Sequence, residues 1–138
     1  MNTSYYSNVN LYKLSNLVSV SCRISGSTAK RVSEYKQFRN IRGIDKFKPS
    51  WDKLVGPYRS GKLSQDDYTD RYNEQLYNLN VHEFIDLVGL DAILLCYELP
   101  NTFCHRHILS NWITTESNIC CTEYYELQQN VISEAFLF

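Results

Sequence analysis

A short apolar run that ends at residue 96 constrains the fold of this chain more than any other feature. Ala92 to Leu95 is uniformly apolar and leads into Cys96. A run of this length is typical of a strand covered on both faces. A second strand is predicted over 17–22, where apolar and small residues alternate. Helical segments separate the two runs, so we expect parallel neighbours in one sheet. The predicted fold class is α/β, as a small single domain over 1–138 with a mainly parallel sheet flanked by helices.

The segments around these strands contain recognisable helix signals. Ser64 precedes acidic residues and a helical spacing of apolar positions, which predicts a helix over 64–79. A second amphipathic helix over 81–88 is closed by Gly89. Weaker signals predict a short helix within 49–58 capped by Ser50, a first strand within 4–9 and a strand within 120–125. The apolar end, 127–138, is expected to dock on the domain or on a partner.

The charge of the chain is unevenly distributed. The net charge is only −1, yet residues 23–62 hold 11 of the 14 Lys and Arg residues. A basic segment within a nearly neutral chain favours a local anionic ligand such as a phosphate, and a solvated face of mixed charge is the structural alternative. Nucleic acid binding through 23–62 stays open. The 11 tyrosines favour a surface that meets a partner, because the ring and the hydroxyl prefer different environments.

The cysteines and the apolar stretches indicate the compartment. Five cysteines without regular spacing do not predict a disulfide framework, so reduced thiols in the cytoplasm are expected. The chain starts without a basic and apolar leader, and no apolar run approaches a membrane span. We therefore expect no membrane partner. The sequence leaves homo-oligomer formation open.

Reactive side chains cluster directly after the central strand. Pro100 and Asn101 interrupt regular structure, and Asn101 or Thr102 is expected to cap a helix whose first turn contains Cys104. Helix N-termini lower the pKa of a thiol and favour anions. Ligands of open α/β sheets bind at the carboxyl ends of strands. We therefore predict catalytic roles for Cys104, Glu98 and His105, and ligand-binding roles for Arg106, Arg23, Cys96 and Cys22.

Each of these roles has a structural alternative. Cys104 and Cys96 could be small core residues, and Glu98 could form a structural ion pair with Arg106 or Arg23. No metal or other cofactor is predicted. Cys96, Cys104, His105 and His107 offer zinc ligands, but their spacing is not that of a zinc knuckle, and adjacent helix residues diverge by about 100°.

The strings L-L-C-Y-E and F-C-H-R-H-I-L-S-N-W resemble the DUF488 family, in particular the short versions carried by phages and bacteria. Residues 46–77, with P-S-W-D near their start, and the strand ending at Cys22 and Arg23 support the resemblance, which covers about 3–115 and leaves 116–138 unassigned. It implies a small α/β domain, without an established activity. A second branch of the family lacks both cysteines but keeps equivalents of His105 and Trp112, so the resemblance does not make Cys104 an obligatory nucleophile.

Two classes of function follow for this DUF488-like chain. The first is a small enzyme that acts on or binds a nucleotide or another phosphorylated ligand at Cys96, Glu98, Cys104 and Arg106. The second is a phage-type binding or inhibitor module that sequesters a nucleotide or blocks a host protein without catalysis. Either would work in the cytoplasm, which is the host cytoplasm for a phage-encoded protein. The sequence does not decide whether the protein is an enzyme.

Overall fold

The computed structural model describes residues 1–8, 14–98 and 101–124. Within these residues, four parallel strands form the central sheet. The strands, in chain order, are β1 (Asn2–Tyr5), β2 (Leu17–Ser19), β3 (Ile93–Cys96) and β4 (Thr122–Glu123). They lie in the order β2-β3-β1-β4, and every pair is parallel. The predicted α/β class is confirmed, and so is the parallel pairing of the strands near 17 and 93.

Five α-helices and two shorter turns connect the strands within the described residues. The helices are α1 (Gly26–Glu34), α2 (Gly56–Arg59), α3 (Gln65–Tyr77), α4 (Val81–Val88) and α5 (His105–Ser117). A 3₁₀ turn at Asp45–Phe47 and a π-helical turn at Trp51–Val55 precede α2. The basic segment therefore carries short helices rather than a bare loop, as its length suggested. No helix of the described residues has the length and apolarity that crossing a bilayer demands.

Side-chain caps explain where the middle helices begin and end. Ser64 accepts a hydrogen bond from the backbone N–H of Asp67 at 3.1 Å at the start of α3. Asn80 accepts from His82 and Glu83 at 2.9 and 3.4 Å at the start of α4. These contacts satisfy backbone donors that a helix start leaves unpaired. Gly89 ends α4 with a φ of +88°, a conformation that favours glycine.

The sheet is covered on both faces. Val18 and Leu94 point to the larger core, which α3, α4 and α5 complete with residues such as Leu76, Phe84 and Leu109. Their neighbours in the strands, including Leu17, Ile93 and Leu95, point to a smaller core that Val32 of α1 covers. This alternation follows from the two-residue period of a strand. It explains why β3 is apolar at every position.

Several predicted boundaries are wrong. Strand β1 begins at Asn2 rather than at Ser4, and β4 is shorter than the predicted strand within 120–125. The strand predicted over 17–22 ends at Ser19. Helix α5 begins at His105, with Cys104 as its N-cap, so neither Asn101 nor Thr102 caps it. Phe103 packs against the rings of Tyr58 and Tyr68 at centroid distances of 5.2 and 5.4 Å, which holds this residue outside the helix. The apolar end, 127–138, lies outside the described residues.

Candidate functional site

A cavity of about 490 Å³ opens at the carboxyl ends of β2 and β3. Residues that follow these two strands line one side of it, and the π-helical turn, α2, α3 and the start of α5 complete it. The lining residues include Cys22, Arg23, Trp51, Tyr58, Arg59, Tyr68, Cys96, Glu98, Phe103, Cys104 and His105. This is the position at which α/β sheets bind ligands. The structure thus brings six of the seven predicted site residues together, with Arg106 as the exception.

Two thiols and an imidazole form the floor of the cavity. The Nδ1 atom of His105 lies 3.5 Å from the Sγ atom of Cys96 and 4.0 Å from that of Cys104. All three side chains are buried, with 8, 4 and 4% of their residue surfaces exposed, respectively. We call Cys96, Cys104 and His105 the thiol–imidazole cluster. It is a preformed group of soft donor atoms at the closed end of a cavity.

The backbone at the start of α5 explains why neighbouring residues can meet in this cluster. Cys104 is extended, with φ and ψ of −153° and 142°, and His105 is the first helical residue. Adjacent side chains diverge by about 100° within a helix, and Cys104 lies outside the helix. Cys96 is the last residue of β3, so its side chain reaches the same point from the sheet.

Burial and hydrogen bonding act in opposite directions on the two thiols. Burial raises the pKa of Cys96 well above its ordinary value. A hydrogen bond from Cys96 lowers the pKa of Cys104 to about 3, against the effect of burial and with further help from His105. These effects favour the thiolate form of Cys104 and the protonated form of Cys96.

Two arginines and a tryptophan form the mouth of the cavity. The guanidinium carbon of Arg23 lies 3.9 Å from the centroid of the Trp51 ring, and that of Arg59 lies 5.8 Å from the same centroid. Both contacts are within cation–π range. Within the described residues neither arginine forms an ion pair with a carboxylate. We call Arg23, Trp51 and Arg59 the cationic rim. Cys22 lies beside it, and burial raises the pKa of its thiol.

The loop that carries Cys22 and Arg23 is held by a buried hydroxyl network. The hydroxyl of Tyr6 hydrogen-bonds with Ser19 and with Ser21, the latter at 2.5 Å. Burial raises the pKa of Tyr6, so the phenol stays neutral and able to donate. The network fixes the chain immediately after β2 and thereby one side of the cavity.

An aromatic wall connects the cationic rim to the floor. Tyr58 contacts Tyr68 at a centroid distance of 5.5 Å, and Phe103 contacts both rings. Burial raises the pKa of Tyr68, which keeps its hydroxyl protonated. Edge-to-face contacts of this kind hold rings in fixed orientations. The wall is a rigid apolar surface suited to a planar ligand.

Arg106 has a structural role that differs from the one expected. Its side chain is fully buried, and its Nε and Nη2 atoms donate to the two carboxylate oxygens of Glu123 at 3.3 and 2.8 Å. Its Nη1 atom donates to the backbone carbonyl of Glu98 at 2.5 Å. The ion pair expected between the side chains of Arg106 and Glu98 is therefore replaced by one with Glu123. Arg106 anchors β4 and the end of β3 to α5.

Two other predicted residues have distinct surroundings. Glu98 is half-buried and lines the cavity, and no basic side chain of the described residues forms an ion pair with its carboxylate. His107 points away from the floor into a second cavity of about 310 Å³. The buried Nε2 atom of His107 has no hydrogen-bond partner among the described residues. The two histidines of the C-H-R-H string thus serve different parts of the molecule.

Sequence reasoning did not assign binding roles to Trp51, Tyr58, Arg59 or Phe103. The signal available was the string W-D-K-L-V-G-P-Y-R, in which an aromatic or basic residue recurs at either end of a short helical stretch. The structure explains the pattern, because the π-helical turn and α2 follow each other directly and place Trp51 and Arg59 on the same rim. π-Helical turns are frequent at functional sites.

Comparison of the chain with protein-family models, with curated proteins and with solved structures found no match. The similarity to DUF488 therefore stays a prediction from the residues quoted above.

Proposed function

We propose that this protein is a small enzyme that acts on a nucleotide or on another phosphorylated aromatic compound in the cavity. The observation that carries the proposal is the union, in one concave space, of the thiol–imidazole cluster and the cationic rim. The volume of about 490 Å³ lies within the range of small-molecule sites. A nucleotide has the two features that the lining complements, an anionic phosphate and a planar ring.

The cationic rim supports a phosphate at the mouth of the cavity. Guanidinium groups match the geometry of phosphate oxygens and form charge-assisted hydrogen bonds with them. Arg23 and Arg59 are exposed and face the same opening. Several other basic groups of the segment have partners elsewhere: Lys46 pairs with Glu83, and Arg39 donates to the carbonyl of Val88 at 2.8 Å. The local charge therefore favours a single anionic group over a long polyanion.

The aromatic wall supports the planar part of the ligand. Tyr58, Tyr68 and Phe103 extend from the rim towards Cys104 and His105. A ring placed against this wall has its phosphate at the rim and its reactive atoms near the floor. Glu98 lines the same cavity and is the carboxylate placed to carry a proton.

The alternative, a binding or inhibitor module without catalysis, uses the same rim but not the floor. Arg23 and Trp51 would then account for all of the binding, and Cys104 would tolerate replacement by serine. A concave site that ends in three buried donor atoms favours the enzyme, since reactive side chains at the end of a pocket are the arrangement that catalysis uses.

Isothermal titration of the protein with nucleoside monophosphates, nucleosides and inorganic phosphate tests the proposal. Arg23→Gln and Arg59→Gln should each weaken binding of the monophosphate about 10-fold. This loss is at the lower end of the range for a hydrogen bond to a charged group, because both side chains are exposed. Arg42→Gln is the matched control, since Arg42 is exposed and does not line the cavity. Nucleosides should bind less tightly than monophosphates to the unaltered protein.

Turnover of the bound compound separates the two classes of function. In the proposed enzyme, Cys104→Ser abolishes product formation while monophosphate binding stays within a few-fold. Equal affinities for the Arg23, Arg59 and Arg42 variants, or no binding of any phosphorylated compound, would refute the ligand. Binding without turnover of any ligand that fits would favour the inhibitor module.

A further inference from the structure

We propose that Cys96, Cys104 and His105 bind one zinc ion that keeps a coordination position open to the cavity. The metal site stands on the geometry of the cluster alone. Its role in the reaction rests on the proposed function.

The distances within the cluster match a tetrahedral zinc site. Zn–S bonds of about 2.3 Å and Zn–N bonds of about 2.0 Å place a sulfur and a nitrogen ligand about 3.5 Å apart. The Nδ1 atom of His105 lies 3.5 Å from the sulfur of Cys96 and 4.0 Å from that of Cys104. All three donor atoms lie within 4.8 Å of one another. For comparison, two sulfurs bound to one zinc ion are about 3.8 Å apart. The Cys96–His105 distance already fits, the Cys104–His105 distance is about 0.5 Å too long, and the two sulfurs need to approach each other by at most about 1 Å.

The orientation of the imidazole is set by the backbone. The Nε2 atom of His105 lies 2.8 Å from the carbonyl oxygen of Val20. A carbonyl only accepts, so Nε2 carries the proton and Nδ1 presents its lone pair to the two sulfurs. Histidines that bind metals usually donate their other N–H to a carbonyl or carboxylate in this way. The hydrogen bond thus selects the tautomer that a metal ligand needs.

Three ligands indicate a catalytic rather than a structural type of site. Structural zinc sites are closed by four protein ligands, whereas catalytic sites have three and leave one position to water. Within the described residues the sulfur of Cys22 and the ring of His107 lie outside the group of three, although Cys22 lines the same cavity. The remaining direction faces the cavity, so a water molecule bound there lies beside the proposed ligand.

A zinc-bound water implies hydrolysis as the reaction class. The water oxygen forms the bond to an electrophilic carbon atom of the ligand ring near the floor, and the bond from that carbon to the leaving group breaks. The proton released by the water passes to the leaving group, with Glu98 as the carrier that lines the cavity. No oxidant, reductant or second substrate is needed.

Metal analysis of the full-length protein tests the site. After purification without chelators, elemental analysis and native mass spectrometry should show one zinc per chain. Replacement of zinc by Co²⁺ should give a thiolate-to-cobalt charge-transfer band, because the site contains two cysteine ligands. These readouts use the unaltered protein, so they hold even where a variant does not fold.

Single variants then assign the ligands. Cys96→Ser, Cys104→Ser and His105→Ala should each weaken zinc binding by more than about 100-fold, since changes to groups that only hydrogen-bond to a metal ligand already weaken binding about 10- to 100-fold. Cys120→Ser and His107→Gln are the matched controls, because Cys120 is exposed and His107 faces the second cavity. The controls should keep one zinc per chain.

The outcomes separate the metal site from the ligand. A protein that binds neither zinc nor Co²⁺, or whose Cys96 and Cys104 variants keep zinc as the controls do, overturns the metal site. Zinc without any binding of monophosphates supports the metal site and removes the ligand proposed above. Monophosphate binding by a protein that takes up no zinc overturns the metal site and leaves the ligand in place.

Discussion

The ion pair between Arg106 and Glu123 should contribute strongly to stability, and a comparison of two glutamates tests this. Glu123→Gln removes the charge that the buried guanidinium of Arg106 faces. Thr3 also donates to Glu123, at 2.6 Å, so the carboxylate joins β1, β4 and α5. Glu98→Gln is the matched change, because Arg106 donates to the backbone carbonyl of Glu98 and this hydrogen bond does not need the carboxylate side chain.

The expected magnitude follows from the burial of the pair. Breaking a buried ion pair by removing one partner costs about 3–5 kcal/mol, because the other charge is left uncompensated. Glu123 retains slight exposure, 9% of its side chain, so we take about 3 kcal/mol. The unfolding entropy of a chain of 138 residues is about 0.29 kcal/mol/K. The melting temperature of Glu123→Gln should therefore fall by about 10 °C.

Differential scanning calorimetry and urea unfolding of both variants provide the assay. Glu98→Gln should stay within about 0.5 kcal/mol of the unaltered protein, as expected of a side chain outside such a network, while any turnover falls. Equal loss of stability in the two variants would mean that the carboxylate of Glu98 is structural. A Glu123→Gln protein as stable as the unaltered one would refute the role given to Arg106.

Three further changes test other parts of the account. Gly89→Ala should lower the free energy of unfolding by more than about 1 kcal/mol, because a Cβ at a φ of +88° is strained and would lie 3.1 Å from the carboxylate of Asp91. An unchanged melting temperature in thermal unfolding would contradict this. Asn80→Ala should lower the free energy of unfolding, measured in urea, by about 1 kcal/mol because it removes the cap of α4. Asn78→Ala, at the end of α3, is the comparison variant. Gly56→Ala places a Cβ 3.0 Å from the backbone oxygen of Trp51 and should weaken monophosphate binding in titration calorimetry by displacing the rim; unaltered affinity would show that Trp51 is not needed there.

The parts of the fold that the sequence predicted are those with local signals. Ser64 lies directly before helix α3, and Gly89 lies directly after α4. The apolar run before Cys96 is long enough for a strand covered on both faces. Parallel pairing of β2 with β3 followed from the helices between them. Each of these inferences depends on residues within one or two turns of the chain.

The parts that it did not predict depend on contacts between distant segments. Arg106 pairs with Glu123, which belongs to a two-residue strand with almost no local signal. The convergence of Cys104 and His105 depends on an extended N-cap, whereas the sequence analysis placed Cys104 in the first turn of the helix. That difference decides whether neighbouring side chains diverge or meet, and hence whether a metal fits.

Protein-observed NMR with isotopically labelled tryptophan tests the cavity most directly. The chain has two tryptophans: Trp51 lies in the rim beneath Arg23, and Trp112 is buried in the larger core. Titration with a nucleoside monophosphate should move the indole N–H signal of Trp51 in a saturable way and leave that of Trp112 in place. A Trp51 signal that stays fixed at millimolar ligand, or that moves only together with the signal of Trp112, would contradict the proposed site.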